Sequence, residues 1–194
     1  MTARPTVWFR PLWLGLLIAA IAAITTGYTC ITPFAAFAVI AATTLSRRDA
    51  VILAVALWLT NQAVGFGVLN YPWTAPTLAW GVAIGAAAVV ATLVAHSAVR
   101  RLAALHTLAR LATGFAAAFV LYELALYAAA VSMLGGADAF APAIVGQVLF
   151  VNAVTLVGLV GLHQLVVGAA VLSRRRRAHA SPARSGLASG AAAD

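Results

Sequence analysis

The sequence contains few charged residues, one cysteine and no lysine. Only 8% of its 194 residues are charged, whereas a soluble domain has about 25%. Hydrophobic residues make up 64% of the chain, and its mean hydropathy is +1.02. One soluble core cannot hide this excess, because a 150-residue domain still leaves roughly 30% of its unfolded surface in water. We therefore expect an all-α, polytopic membrane protein.

The scarcity of reactive residues also excludes several chemistries. The single cysteine, Cys30, cannot form an intrachain disulfide or a multi-cysteine metal site. There is no glycine-rich phosphate loop, no paired His–Glu zinc motif and no serine flanked by glycines in a nucleophile elbow. We expect no enzymatic activity, no catalytic residues, no metal and no cofactor. Energy for any transport must then come from a partner protein or an ion gradient.

All twelve basic residues are arginines, and they outnumber the four acidic residues to give a net charge of +8. The arginines form short clusters between apolar runs, so the positive-inside rule explains them better than nucleic-acid binding does. Arginine without lysine, together with abundant alanine, is typical of a high-GC bacterial gene. The predicted location is the lipid bilayer of the bacterial cytoplasmic (inner) membrane.

The chain contains six apolar runs that predict six transmembrane helices. The second run is short for a bilayer crossing and is expected to be little tilted, broken or extended into the preceding loop. Glycine, proline, interfacial aromatic residues or charges separate the runs. The runs cover residues 11–26, 32–45, 50–69, 74–99, 111–134 and 143–172.

With six spans, all the arginines lie on one side of the membrane, which predicts that both termini are cytoplasmic. The first run also resembles a secretory signal peptide, but the charge pattern requires it, so we expect it to be retained as a helix. Residues 1–177 are predicted to form the six-helix transmembrane domain. Residues 178–194 are rich in Ala, Ser and Gly and are predicted to form a disordered cytoplasmic tail.

Polar residues within the apolar runs are costly in a membrane and need a partner or a function. The predicted topology places most of them in the outer half of the bilayer, which favours an outward-facing pocket for a small molecule. The alternative is that the amides only form hydrogen bonds between helices. The predicted substrate-binding residues are Asn61, Gln62, Glu123 and Asn152, with Tyr71, Trp73 and Trp80 near the mouth of the pocket.

Glu123 is the only acidic residue within a predicted span. In a structural role it is protonated or paired with His163 or a tyrosine hydroxyl. In a functional role it binds a cationic or hydrogen-bonding group of a substrate, or it relays protons. Both interpretations remain open at this point.

Small residues recur at four-residue spacing in the first and fourth predicted helices. Gly15, Ala19 and Ala23 form one such stripe, and Gly81 and Gly85 form another. These stripes allow close approach of another helix, either within the same protein or from a second membrane subunit. The first helix is the better candidate for docking a partner, through Ala19 and Ala23.

Four segments of the sequence are informative when they are taken together. They are 32–38 (TPFAAFA), 47–49 (RRD), 61–67 (NQAVGFG) and 71–72 (YP). Together they resemble the S components of energy-coupling factor vitamin transporters and their S-component-like relatives. The resemblance extends over residues 11–172 in size, helix number and orientation. The sequence differs from these relatives in having Asn61-Gln62 where they often carry an acidic or other polar pair, and it lacks a vitamin-specific signature.

This resemblance implies an outward-facing pocket for a vitamin or a related small molecule. It also implies a transmembrane coupling subunit and cytoplasmic ATPases that supply energy, with Ala19 and Ala23 matching the alanine stripe on which such a subunit docks. Two other functions remain open: a non-transporting membrane subunit or assembly factor of a larger complex, and a proton-coupled carrier that uses Glu123.

Overall fold

A computed structural model of the protein describes residues 9–27 and 32–180. Cys30 and most of the predicted tail, residues 181–194, lie outside the described residues. Within this part of the chain the structure is all-helical. A π-helical turn, Ala130–Leu134, extends α5, and a 3₁₀ turn, Ala137–Phe140, precedes α6. The helices are α1 (Phe9–Gly27), α2 (Phe34–Thr44), α3 (Arg47–Gly67), α4 (Ala75–Arg101), α5 (Thr107–Ala129) and α6 (Pro142–Ala180).

The chain separates into two compact units, Met1–Leu156 and Val157–Asp194, and the boundary falls within α6. The first unit contains α1 to α5 and the beginning of α6. The described part of the second unit is the remainder of α6, which continues to Ala180, three residues beyond the predicted end of the transmembrane domain.

Four of the helices are long and apolar enough to cross a membrane: α3, α4, Thr107–Leu134 and Pro142–Ser173. The two shorter apolar helices are Pro11–Gly27, within α1, and α2. The prediction of an all-helical protein with membrane-length apolar helices is thus confirmed. The helix ends differ from the predicted runs by a few residues, except that α6 continues well past residue 172.

The short helix α2 forms the centre of the first unit. Its residues Phe34–Ala42 are all buried, and it packs against α3, α4 and α5. A helix that is apolar on every side is stable only when protein or lipid surrounds it completely. With 11 residues, α2 is about 16 Å long. It is therefore too short to cross a hydrocarbon core of about 30 Å by itself.

Small side chains let α4 pack closely against its neighbours. The buried residues of α4 recur at spacings of three and four, which places them along one face of the helix. In a membrane, where lipid is as apolar as the protein, such close contact between helices is a main source of association energy. The residues of this face include Gly81, Gly85, Ala88, Thr92, Ala95 and Val99.

Polar side chains cap the beginnings of three helices. At α3, the Ser46 hydroxyl accepts a hydrogen bond from the Asp49 backbone N–H and donates one to its carboxylate, a reciprocal arrangement that also places negative charge at the positive end of the helix dipole. At α4, the Thr74 hydroxyl accepts from the N–H of Thr77. The His106 ring plays the same part at α5.

The arginines whose side chains are described lie at one end of the first unit. Trp13, near the start of α1, donates a hydrogen bond to Thr44 at the end of α2, and short connections make the helices that follow antiparallel. The α3–α4 and α5–α6 connections at the opposite end contain no arginine. These arginines are Arg47, Arg48, Arg100, Arg101 and Arg110.

Candidate functional site

A cavity of about 140 Å³ lies at the arginine-free end of the first unit, where α3 ends and α4 begins. One further described residue, Thr32 from the segment leading into α2, also lines it. The described lining residues are uncharged, and they combine amides and hydroxyls with aromatic rings. They are Thr32, Asn61, Gln62, Phe66, Tyr71, Thr77, Trp80, Gly81 and Ile84.

A chain of hydrogen bonds fixes the polar wall of the cavity. The Asn61 Nδ2 donates to the hydroxyls of Thr32, at 2.9 Å, and of Thr25, at 3.4 Å. The Asn61 Oδ1 accepts from the Gln62 Nε2 at 3.1 Å. Asn61 thereby joins α1, α3 and the segment that leads into α2, and the polar groups of its half-buried amide have partners. Gln62 keeps one N–H and its carbonyl oxygen without a partner among the described residues.

Two glycines of α4 provide room for side chains of α3. A Cβ at Gly81 would lie 2.5 Å from the Gln62 Oε1, and a Cβ at Gly85 would lie 2.7 Å from the Trp58 ring. The Trp58 indole also donates to the Gly81 carbonyl oxygen at 2.8 Å. The stripe formed by Gly81 and Gly85 therefore does bring two helices together, and it also fixes the position of Gln62 in the cavity wall.

The α3–α4 connection folds back over the end of α3 and supplies the aromatic rim. Asn70 has a left-handed backbone, with φ of +55°, and the next N–H, of Tyr71, donates to the Gly65 carbonyl at 3.0 Å. A Cβ at Gly65 would lie only 2.8 Å from the Tyr71 ring. Trp73 is 74% exposed, and its ring lies 4.4 Å from that of Phe66, between centroids.

Four of the predicted binding residues, Asn61, Gln62, Tyr71 and Trp80, thus line one cavity. Trp73 does not line it but contacts the lining residue Phe66. The other two predicted binding residues, Glu123 and Asn152, lie elsewhere.

Asn152 caps the central helix. It is 1% exposed, and its Oδ1 accepts a hydrogen bond from the backbone N–H of Ala36 at 3.3 Å. Its Nδ2 donates to the Val148 carbonyl at 3.0 Å. The residue at the N-cap position of α2 is Pro33, whose side chain makes no capping hydrogen bond. Asn152 of α6 therefore pairs the backbone N–H of Ala36, which would otherwise lack a partner in the core.

Glu123 lies on α5, which contributes none of the described residues that line the cavity. It is half-buried on α5, next to the buried Tyr122, whose ring lies 5.9 Å from that of Phe34 in α2. Helix α5 packs against α2 and α4, whereas the cavity is formed mainly by α3 and α4. Glu123 is not among the described residues that line the cavity.

The predicted docking stripe of α1 faces away from the protein. Gly15, Ala19 and Ala23 are exposed, and no atom of the described residues lies within 4 Å of a Cβ built at Gly15. Helix α1 packs against α3. The side of α1 that is buried consists of Trp13, Leu17, Ile21 and Thr25.

Several site residues were not among the predicted ones. Thr77, Gly81 and Ile84 share one face of α4, because they are spaced by four and three residues. That spacing was readable from the sequence, but only the structure shows that this face meets Asn61 and Gln62. The other additions are Thr25, Thr32 and Phe66.

Comparison of the chain with protein-family models, with curated proteins and with solved structures returned no match. Within the described residues, no group of three or more His, Cys, Asp or Glu side chains is placed to hold a metal ion. In the part of the chain that the structure describes, the protein is all-helical, with membrane-length apolar helices and a polar cavity lined by uncharged residues.

We expect Asn152→Ala to destabilise the protein without reshaping the cavity. The substitution leaves the Ala36 N–H unpaired in the core, which costs about 1–3 kcal/mol. Thermal unfolding in detergent, followed by size-exclusion chromatography, measures the effect. The matched control is Gln147→Ala, because Gln147 is exposed one turn earlier on the same helix. Equal stability of the two variants would contradict a capping role for Asn152.

Proposed function

We propose that the protein binds a small organic solute, a vitamin or a cofactor precursor, and takes it up across the bacterial cytoplasmic membrane. The observation that carries this proposal is the cavity between α3 and α4. Small-molecule sites combine an apolar or aromatic lining with a few fixed polar groups, and this cavity combines Phe66, Tyr71 and Trp80 with the amide pair Asn61-Gln62. The role is binding and transport, not catalysis.

The arginine distribution supports an outward orientation of the cavity. By the positive-inside rule, the end of the first unit that carries Arg47, Arg48, Arg100, Arg101 and Arg110 faces the cytoplasm. The opposite end, with the cavity, then faces outward. In this arrangement six helices cross the membrane, and both termini are cytoplasmic.

The side of α1 that faces away from the other helices supports docking of a second membrane subunit. Its small residues Gly15, Ala19 and Ala23 are exposed, while bulky residues occupy the side that packs on α3. The sequence has no nucleotide-binding motif, so energy must come from outside the chain. A transmembrane coupling subunit with cytoplasmic ATPases, as in the transporters that the sequence resembles, would supply it.

Filling the cavity should abolish solute binding. Ile84 lines the cavity, so Ile84→Trp should displace a bound solute by steric exclusion. Val82 lies on the same helix and is 65% exposed, so Val82→Trp is the matched control. The full chain is purified in mild detergent, bound small molecules are identified by mass spectrometry, and affinity for the identified solute is compared between variants.

Binding that survives Ile84→Trp unchanged would show that the solute lies elsewhere. Purification of wild-type protein without any bound or binding solute, but with a large stable partner, would favour the non-transporting subunit instead.

The orientation predicts opposite labelling of two introduced cysteines. In a Cys30→Ser background, Ala137→Cys lies in the exposed α5–α6 connection and should react with a membrane-impermeant thiol reagent in intact cells. Ser185→Cys should react only after the membrane is permeabilised. Labelling of position 137 from the cytoplasm alone would reverse the proposed orientation, and labelling of both positions in intact cells would exclude six spans.

Ala19→Trp should abolish association with a coupling subunit while solute binding remains. A bulky indole separates two helices that small residues allow to approach closely. Val120→Trp, on the half-exposed outer side of α5, is the control and should leave association intact. Co-purification of subunits and solute affinity are measured for both variants. Association that persists in Ala19→Trp would place the docking surface elsewhere.

A further inference from the structure

This inference rests on the proposed function, in which the cavity binds the solute. The cavity-lining polar groups that have no hydrogen-bond partner among the described residues then restrict the chemistry of that solute. Both N–H groups of Asn61 point to threonine hydroxyls, and its oxygen accepts from Gln62. Asn61 is therefore engaged in holding its neighbour. Gln62 retains one amide N–H and the Oε1, and neither has a partner among the described residues.

The retained groups of Gln62 are one donor and one acceptor on the same planar amide. A ligand satisfies both at once when it offers an acceptor and a donor side by side, as a cyclic amide, a primary carboxamide or a pyrimidinone does. The position of the amide is fixed from two sides, by Asn61 through the hydrogen bond and by Gly81 through close contact with Oε1. A fixed amide selects such an edge, because an analogue that lacks it would cover the amide without pairing its free donor and acceptor.

The charge of the lining restricts the ligand further. Among the described residues, the nine that line the cavity include no acidic residue, no basic residue and no histidine. A cation or anion would enter a membrane-embedded site without an opposite charge, at a large desolvation cost. The half-buried carboxylate of Glu123 is on α5 and does not line the cavity. The ligand is therefore uncharged.

The cavity volume restricts its size. A dry cavity of about 150 Å³ accommodates one benzene ring, and this cavity measures about 140 Å³. Phe66, Tyr71 and Trp80 supply flat aromatic surfaces around it, against which a planar ring packs well. The cavity is thus matched to one ring with small substituents.

We propose that the cavity recognises an uncharged, single-ring heterocycle, or the single-ring part of a larger solute, through a paired donor–acceptor edge that bonds to Gln62. Asn61, Thr25 and Thr32 are positioning residues that hold this amide and do not themselves read the ligand edge. The specificity for an amide-like edge then resides in one side chain.

Four one-ring probes test the proposal on the full chain in lipid nanodiscs. 2-Pyridone has the paired edge, and N-methyl-2-pyridone has the same ring with its donor blocked. Benzoate and benzamidine carry a negative and a positive charge. Equilibrium dialysis should show binding of 2-pyridone, with N-methyl-2-pyridone weaker by about tenfold, the loss expected for one hydrogen bond. The charged probes should not compete.

Variants assign the discrimination to Gln62. Gln62→Ala should remove the difference between 2-pyridone and its N-methyl derivative. Gln147→Ala, at an exposed glutamine of α6, should retain it. Thermal unfolding of each variant establishes that the fold is intact, and Gln62→Asn, which keeps the amide but withdraws it by one methylene, provides a second test that should also lose discrimination.

Failure of this inference and failure of the proposed function give different results. Equal binding of the two pyridones, or binding of a charged probe that Ile84→Trp abolishes, would overturn the paired-edge ligand while leaving solute binding in the cavity intact. The same holds if the co-purified solute proves to be charged. If neither the probes nor any cellular solute bind in a manner sensitive to Ile84→Trp, both the inference and the proposed function are wrong.

Discussion

The first unit depends on a helix that begins inside the protein. α2 has only 11 residues, and the hydrocarbon core of a bilayer spans about twice its length. Thr32, two residues before α2, lines the cavity. Its hydroxyl accepts a hydrogen bond from Asn61 of α3. The buried beginning of α2 and the polar wall of the cavity therefore lie next to each other.

A helix that begins at this depth leaves backbone N–H groups without water to satisfy them. Asn152 pairs one of them, and Asn61 secures the nearby hydroxyls of Thr25 and Thr32. The two asparagines thus have different roles. Asn152 pairs a backbone N–H of α2, whereas Asn61 holds the polar side chains of the cavity wall in position. Asn152 is buried and Asn61 is half-buried, and both have hydrogen-bond partners, in keeping with the cost of bare polar groups in an apolar environment.

The helices could be predicted from the sequence because apolar runs and breakers determine where a helix lies. The clustering of Asn61, Gln62, Tyr71 and Trp80 could also be predicted, since these residues lie at the same end of two consecutive helices. The different positions of Glu123 and Asn152 could not. α2 is apolar on all sides, and α6 is nearly so. The sequence of such a helix does not indicate which of its sides packs against which neighbour. The predicted depth of a polar side chain in the membrane also does not indicate whether it lines a cavity or caps another helix.

Of the nine described residues that line the cavity, eight fall between Asn61 and Ile84, and the ninth, Thr32, precedes them in the chain. A ribosome therefore completes the whole cavity before it has made α5. The cap of α2 follows a different order, because Asn152 belongs to the last helix. During synthesis the part of the cavity wall that belongs to α3 and α4 can assemble as a helical hairpin. The N-terminus of α2 is capped only after Asn152 of α6 has been made.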